Sequence, residues 1–171
     1  MLIHKMTPLG HLFVGFLVYK LLKKKYKKLS LGMVLLGSLL PDMDFIFVIF
    51  NSSLNAHRLF SHSLFFITAL AVILGIWYSG FSFFIGGLLH LIFDTIFDFY
   101  AGNGLGVAWF WPIFKEPVDF GVSSLFPMYS ILEGTPWLVI VLLQFFVELA
   151  LIIVFFFALW MYKKRKSFAD F

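Results

Sequence analysis

Nine ionisable side chains sit in or at the ends of apolar stretches: His11, Asp42, Asp44, His57, Arg58, His62, His90, Asp94 and Asp98. In hydrocarbon each Asp costs about 2.5–3.5 kcal/mol on insertion scales, so residues of this kind mark function or are neutralised locally. His90 and Asp94 are spaced i, i+4, so a helix presents imidazole and carboxylate on one face, where they can share a metal ion. Asp42 and Asp44 follow Pro41, which breaks a helix, and the irregular backbone lets both carboxylates aim at one centre. His57 and His62 are five residues apart and converge only if one belongs to a loop or a cap. The donors are all N and O, a set that suits Zn²⁺ best and admits Mn²⁺, and they are ample for two ions. Arg58 is a candidate clamp on an anionic oxygen, and Asp44 or Asp98 a candidate acceptor for the proton of an attacking water.

Each residue alone reads about equally well as a satisfied core group, and Asp98 as a protonated hydrogen-bond donor between helices. The set does not. Four unneutralised Asp would cost on the order of 10 kcal/mol, so cations or protons must compensate. Glu148 reads as a polar contact facing the bundle. Ser38 and the Gly32, Gly37, Gly86 and Gly87 positions read as close helix packing.

The elements that carry these residues are apolar runs with short polar punctuation. The chain has 171 residues, of which 61% are hydrophobic and 13% charged, against about 25% charged in an ordinary soluble domain. The expected fold is all-α: a polytopic membrane protein with five spans, about Pro8–Leu22, Leu29–Phe50, Arg58–Tyr78, Phe81–Tyr100 and Pro136–Tyr162. It forms one membrane-embedded domain, 1–171, with a metal-site core at about 7–114, and a fifth helix and basic tail at 136–171. The Gly-, Pro- and Trp-rich stretch 101–135 is expected to be interfacial or re-entrant. Running alternately, four spans bring every polar group within about 15 Å of one membrane face.

Ten of the 13 basic residues lie in two clusters, Lys20 to Lys28 and Lys163 to Lys166, each following an apolar run. That placement predicts both clusters in the cytoplasm against anionic headgroups, the N-terminus outside and the C-terminus inside. Eleven of the 13 are Lys, which argues against nucleic acid as a partner. With no Cys, disulfides, thiolate-bound metals and thiol nucleophiles are excluded. No Ser with a matched His–Asp pair stands out, so serine hydrolysis is the weaker enzyme option.

His11 in GHLFVG, GSLLPDMD at 37–44, HRLFSHS at 57–63, GGLLHLIFD at 86–94 and WPIF at 111–114 resemble the YdjM-like family. Its members are LexA-regulated, inner-membrane-bound proteins described as metal-dependent hydrolases, related to zinc-dependent phospholipase C and single-strand nucleases. The resemblance implies that His11, Asp42, Asp44, His57, His62, His90 and Asp94 form the metal site, with His90–Asp94 as the His-x-x-x-acid pair. It implies one to three ions, Zn²⁺ first and Mn²⁺ second. The expected function is hydrolysis of a phospholipid or lipid-linked phosphate at the inner (cytoplasmic) membrane, near its outer leaflet. Asp44, Arg58 and Asp98 would assist catalysis, and Tyr100, Trp109 and Trp111 would rim the site. The rival expectation is a divalent-cation or proton-coupled transporter, which would need a polar path to the opposite face that the inner helix halves do not supply.

Overall fold

A computed structural model describes residues 7–44, 60–77, 79–96, 107–118 and 137–169. Helix α1, Pro8–Leu22, opens with proline at its first position, where a missing N–H costs nothing. It stops at the lysine run, where the Lys23 ammonium donates to the carbonyls of Lys27 and Leu29, both at 2.7 Å, and ties off the turn. Helix α2, Leu31–Leu39, is only nine residues long. Pro41 has no N–H for the carbonyl of Gly37, so the chain tightens into a 3-10 turn over Leu40–Asp44.

Helix α3, Leu64–Trp77, starts late because 60–63 form a turn. There the Ser63 hydroxyl accepts from Phe66 N–H (3.2 Å) and donates to the Phe60 carbonyl (2.8 Å). The Ser79 carbonyl accepts from the Ser82 and Phe83 amides at 3.0 and 3.2 Å and opens helix α4, Gly80–Ile96. Helix α5, Trp137–Ala169, runs for 33 residues through the second basic cluster, which is helical and not a tail beyond the helix.

Helices α2 and α4 touch backbone to backbone. A Cβ on Gly37 would lie 2.2 Å from the Phe83 carbonyl oxygen, and one on Gly86 would lie 2.0 Å from that of Val34. Gly87 makes room for the Ile67 side chain of α3, whose Cγ2 would lie 2.6 Å from an added Cβ, whereas Gly32 meets nothing and is not a packing position. The core, built of Ile67, Ala71, Phe83, Leu91 and Val107, fills the space between α3, α4 and the segment 107–118. That segment folds back on itself, with Val107 and Val118 exchanging hydrogen bonds of 3.0 and 2.9 Å. The Trp109 carbonyl accepts the first amide of α3, from Leu64, at 2.8 Å.

The described residues are all-α, with that one isolated bridge and no strand. Among them no helix is long and apolar enough to cross a membrane, and the expected second, third and fourth spans run on into residues outside those described. The 9 to 17 residues of α1 to α4 make rods about 14–26 Å long, short of a hydrocarbon core of about 30 Å. Pro41 and the turn ahead of α3 account for two of the shortened elements. Of the stretch 101–135 only 107–118 is described: Val107 and Ala108 are buried, while Phe110, Ile113 and Phe114 are exposed.

Candidate metal centre

Four elements deliver five of the expected residues to one point. His11 comes from the first turns of α1, Asp42 from the 3-10 turn, and His62 from the turn ahead of α3. His90 and Asp94 come from one face of α4. The three imidazoles and Asp94 are buried, while Asp42 keeps 16% side-chain exposure and is the member that water reaches.

The distances are short and mutual. His62 Nε2 lies 3.3 Å from Asp94 Oδ2 and 3.5 Å from Asp42 Oδ1. His90 Nε2 lies 3.5 Å from Asp94 Oδ2 and 3.7 Å from Asp42 Oδ1, and the two Nε2 atoms are 3.2 Å apart. One donor atom from each of Asp42, His62, His90 and Asp94 falls within 4.8 Å of all the others, a group that could hold a metal ion. His11 approaches from the far side of both carboxylates. Its Nε2 is 3.1 Å from Asp94 Oδ1 and 4.0 Å from Asp42 Oδ2, and its ring stacks on His90 at 3.9 Å. Each carboxylate therefore turns one oxygen to His62 and His90 and the other to His11.

The hydrogen bonds behind the imidazoles decide which way their lone pairs point. His90 Nδ1 lies 2.8 Å from the Ser38 carbonyl oxygen, which can only accept. Nδ1 therefore carries the hydrogen and the neutral ring directs an Nε2 lone pair at the centre. His62 Nδ1 meets the Ser61 hydroxyl at 2.9 Å, which leaves its Nε2 for the same centre. The two ring nitrogens stand 3.2 Å apart, close enough to share a proton or to ligate one cation, and the flanking carboxylates suit either. His11 Nε2 is buried and makes no hydrogen bond despite its closeness to Asp94, as expected of a nitrogen aimed at a metal position. The residues present thus fit a divalent ion.

Three features were invisible in the sequence. The Ser38 carbonyl, expected only as packing, orients His90. Ser61 supports His62 and completes a Ser–His–Asp order with Asp94, an arrangement the sequence reading did not find. Trp109, expected on a lipid-facing rim, is half-buried and donates from Nε1 to Thr95 Oγ1 at 2.8 Å, beside Asp94. Each pairing joins distant or adjacent residues with no periodicity to announce it. His57, Arg58, Asp98 and Tyr100 lie outside the described residues, as does the side chain of Asp44, whose backbone closes the 3-10 turn.

Fold and site together define a class: an all-helical protein with a buried His/Asp cluster at the meeting point of short helices, able to hold metal. The family model for the YdjM inner membrane protein matches residues 6–167, so the chain belongs to that family of membrane proteins. No curated protein and no solved structure matches it.

Proposed function

We propose that the protein is a metal-dependent hydrolase of the inner membrane acting on a phospholipid or lipid-linked phosphate ester. The observation that carries this reading is the convergence of Asp42, His62, His90 and Asp94, with ligand atoms within 4.8 Å of one another. These four would hold one divalent ion, Zn²⁺ before Mn²⁺, and His11 with the second oxygens of both carboxylates would provide for another. A bound ion of this type supplies Lewis acidity to a phosphoryl oxygen and makes water a nucleophile near neutral pH. The chain's own groups do the rest. Asp44 or Asp98 takes the proton of the attacking water, and Arg58 neutralises charge developing on the phosphoryl group.

The lipid class of substrate is supported by what surrounds the site. Met43, next to Asp42, and Phe60, two residues before His62, are half-exposed apolar side chains on the segments that carry two of the cluster's members. The outer face of α3, with Phe65, Val72, Ile73 and Ile76, and much of α5 are exposed and apolar, as suits contact with acyl chains. The lysine clusters suit anionic headgroups.

The test is metal content by mass spectrometry together with phosphate release from phospholipid vesicles. Purified protein should carry a divalent metal and lose hydrolysis with a chelator, and Arg58→Ala should keep the metal while losing roughly 10²–10³ in turnover. Metal-free protein with undiminished hydrolysis, abolished by Ser61→Ala, would replace this reading with serine chemistry along Ser61–His62–Asp94. Metal uptake into vesicles without hydrolysis would replace it with transport.

A further inference from the structure

We infer that Glu148 of α5 is a positioning residue for His11, acting through Thr7; the inference rests on the metal-centre reading above. Glu148 is a carboxylate in the middle of an apolar helix, where an ionisable group is costly unless it is tied to a partner. It is tied. Its Oε1 accepts from the Thr7 backbone N–H at 2.9 Å, and its Oε2 accepts from the Thr7 hydroxyl. Thr7 is the N-cap of α1, yet its side chain makes no capping bond within that helix, because the hydroxyl is turned to α5.

The chain of contacts leads directly to the site. The Thr7 carbonyl accepts the His11 N–H at 3.1 Å, the bond that starts α1. Four residues on, and so on the same face, His11 holds its Nε2 3.1 Å from Asp94 and its ring 3.9 Å from His90. Elsewhere α1 is located mainly by shape. Gly15 lets it approach α2, where a Cβ would stand 2.5 Å from the Ser38 hydroxyl, and Phe13 meets Phe155 edge-on at 5.5 Å. Such contacts set a separation but resist sliding along the helix axis poorly. The two hydrogen bonds from Thr7 to Glu148 are directional, and they fix how far along its axis α1 presents His11.

The experiment uses the full chain in detergent micelles with two readouts: Zn²⁺ titration against a chromophoric chelator, and amide hydrogen exchange over residues 7–15. Glu148→Ala should speed exchange in the first turn of α1 on the order of tenfold, as local opening becomes easier. It should also weaken Zn²⁺ binding about tenfold, the lower end of what losing an outer support costs. Glu148→Gln, which can still accept from the amide and bond the hydroxyl, should stay near wild type. The double variant His11→Ala/Glu148→Ala should bind Zn²⁺ no more weakly than His11→Ala alone, because both act through one imidazole. Should Glu148→Ala fail to fold, Thr7→Val removes the hydroxyl alone and should show a smaller change in the same direction. Unchanged exchange in the folded variant, additive losses in the double variant, or equal damage from Gln and Ala would each overturn the inference. A wild-type chain that binds no Zn²⁺ would instead overturn the metal reading, and the exchange arm would still decide the Thr7–Glu148 tie.

Discussion

The α2–α4 pair and α5 are built on opposite rules. Between α2 and α4 the contact is glycine on backbone, and the polar groups beside it are the buried ones: Ser38, His90, Asp94 and Thr95. On α5 it is the large apolar groups that are exposed, among them Phe146, Leu151, Ile153, Val154, Phe157 and Trp160. A water-soluble protein sorts its side chains the other way. Burial in the first region is set by hydrogen bonds and steric fit. In the second, exposure is tolerable because the family's setting is a membrane, where hydrocarbon outside competes with hydrocarbon inside. The glycine-packed pair thus supplies the close packing and two of the site's five residues, His90 and Asp94, and α5 adds apolar surface and the polar tie to Thr7.

Substitutions can break or sharpen that contrast. The largest effect is expected at the cluster: His90→Ala or Asp94→Ala should weaken metal binding by more than the 10–100-fold typical of losing an outer-shell partner, read by metal content after dialysis. A chelator should then destabilise wild type, by about 4 kcal/mol if metal had stood at a thousand times its Kd, and leave Asp94→Ala unmoved in thermal unfolding. Equal responses of the two proteins would remove the cluster from metal binding. Next comes Gly86→Ala, whose Cβ would stand 2.0 Å from the Val34 carbonyl oxygen and force the pair apart. A loss of about 1–3 kcal/mol is expected, and an unchanged melting temperature would mean that the close approach is not needed. Trp109→Phe keeps an aromatic ring against the core but trims the indole and deletes the bond to Thr95, for about 1–2 kcal/mol. Smallest is Phe157→Ala on α5, at 60% exposure, expected within about 0.5 kcal/mol in micelles. A loss as large as that of Gly86→Ala would show α5 to be core, and the contrast would fall.

What the sequence could and could not supply divides along the same line. The first helix begins and ends where Pro8 and the lysine run place it, and His90 and Asp94 share a face because their spacing is helical. Asp42 sits on irregular backbone, as Pro41 requires. The second and third elements came out shorter than their apolar runs, because hydropathy averages over residues while Pro41 and the Phe60–Ser63 turn act at single positions. His62 accordingly lies in a turn and not on a helix. The supports were illegible for a different reason. Which carbonyl faces His90, and which residue takes Glu148, depend on contacts 52 and 141 residues apart.

The glycine contact between α2 and α4 also acts as an index mark. Ser38 is one residue past Gly37, and His90 is four past Gly86, so the seated glycines set the phase at which carbonyl and imidazole meet. A helix advances about 100° and 1.5 Å per residue, so one residue inserted between Gly86 and His90 would swing the imidazole roughly a quarter-turn off its partner. The same insertion leaves the Gly86 contact itself intact. Descendants of this chain can therefore exchange many apolar side chains along α4 for one another, but they cannot change the count between those two positions. Geometry alone fixes that interval, whatever reaction the site performs.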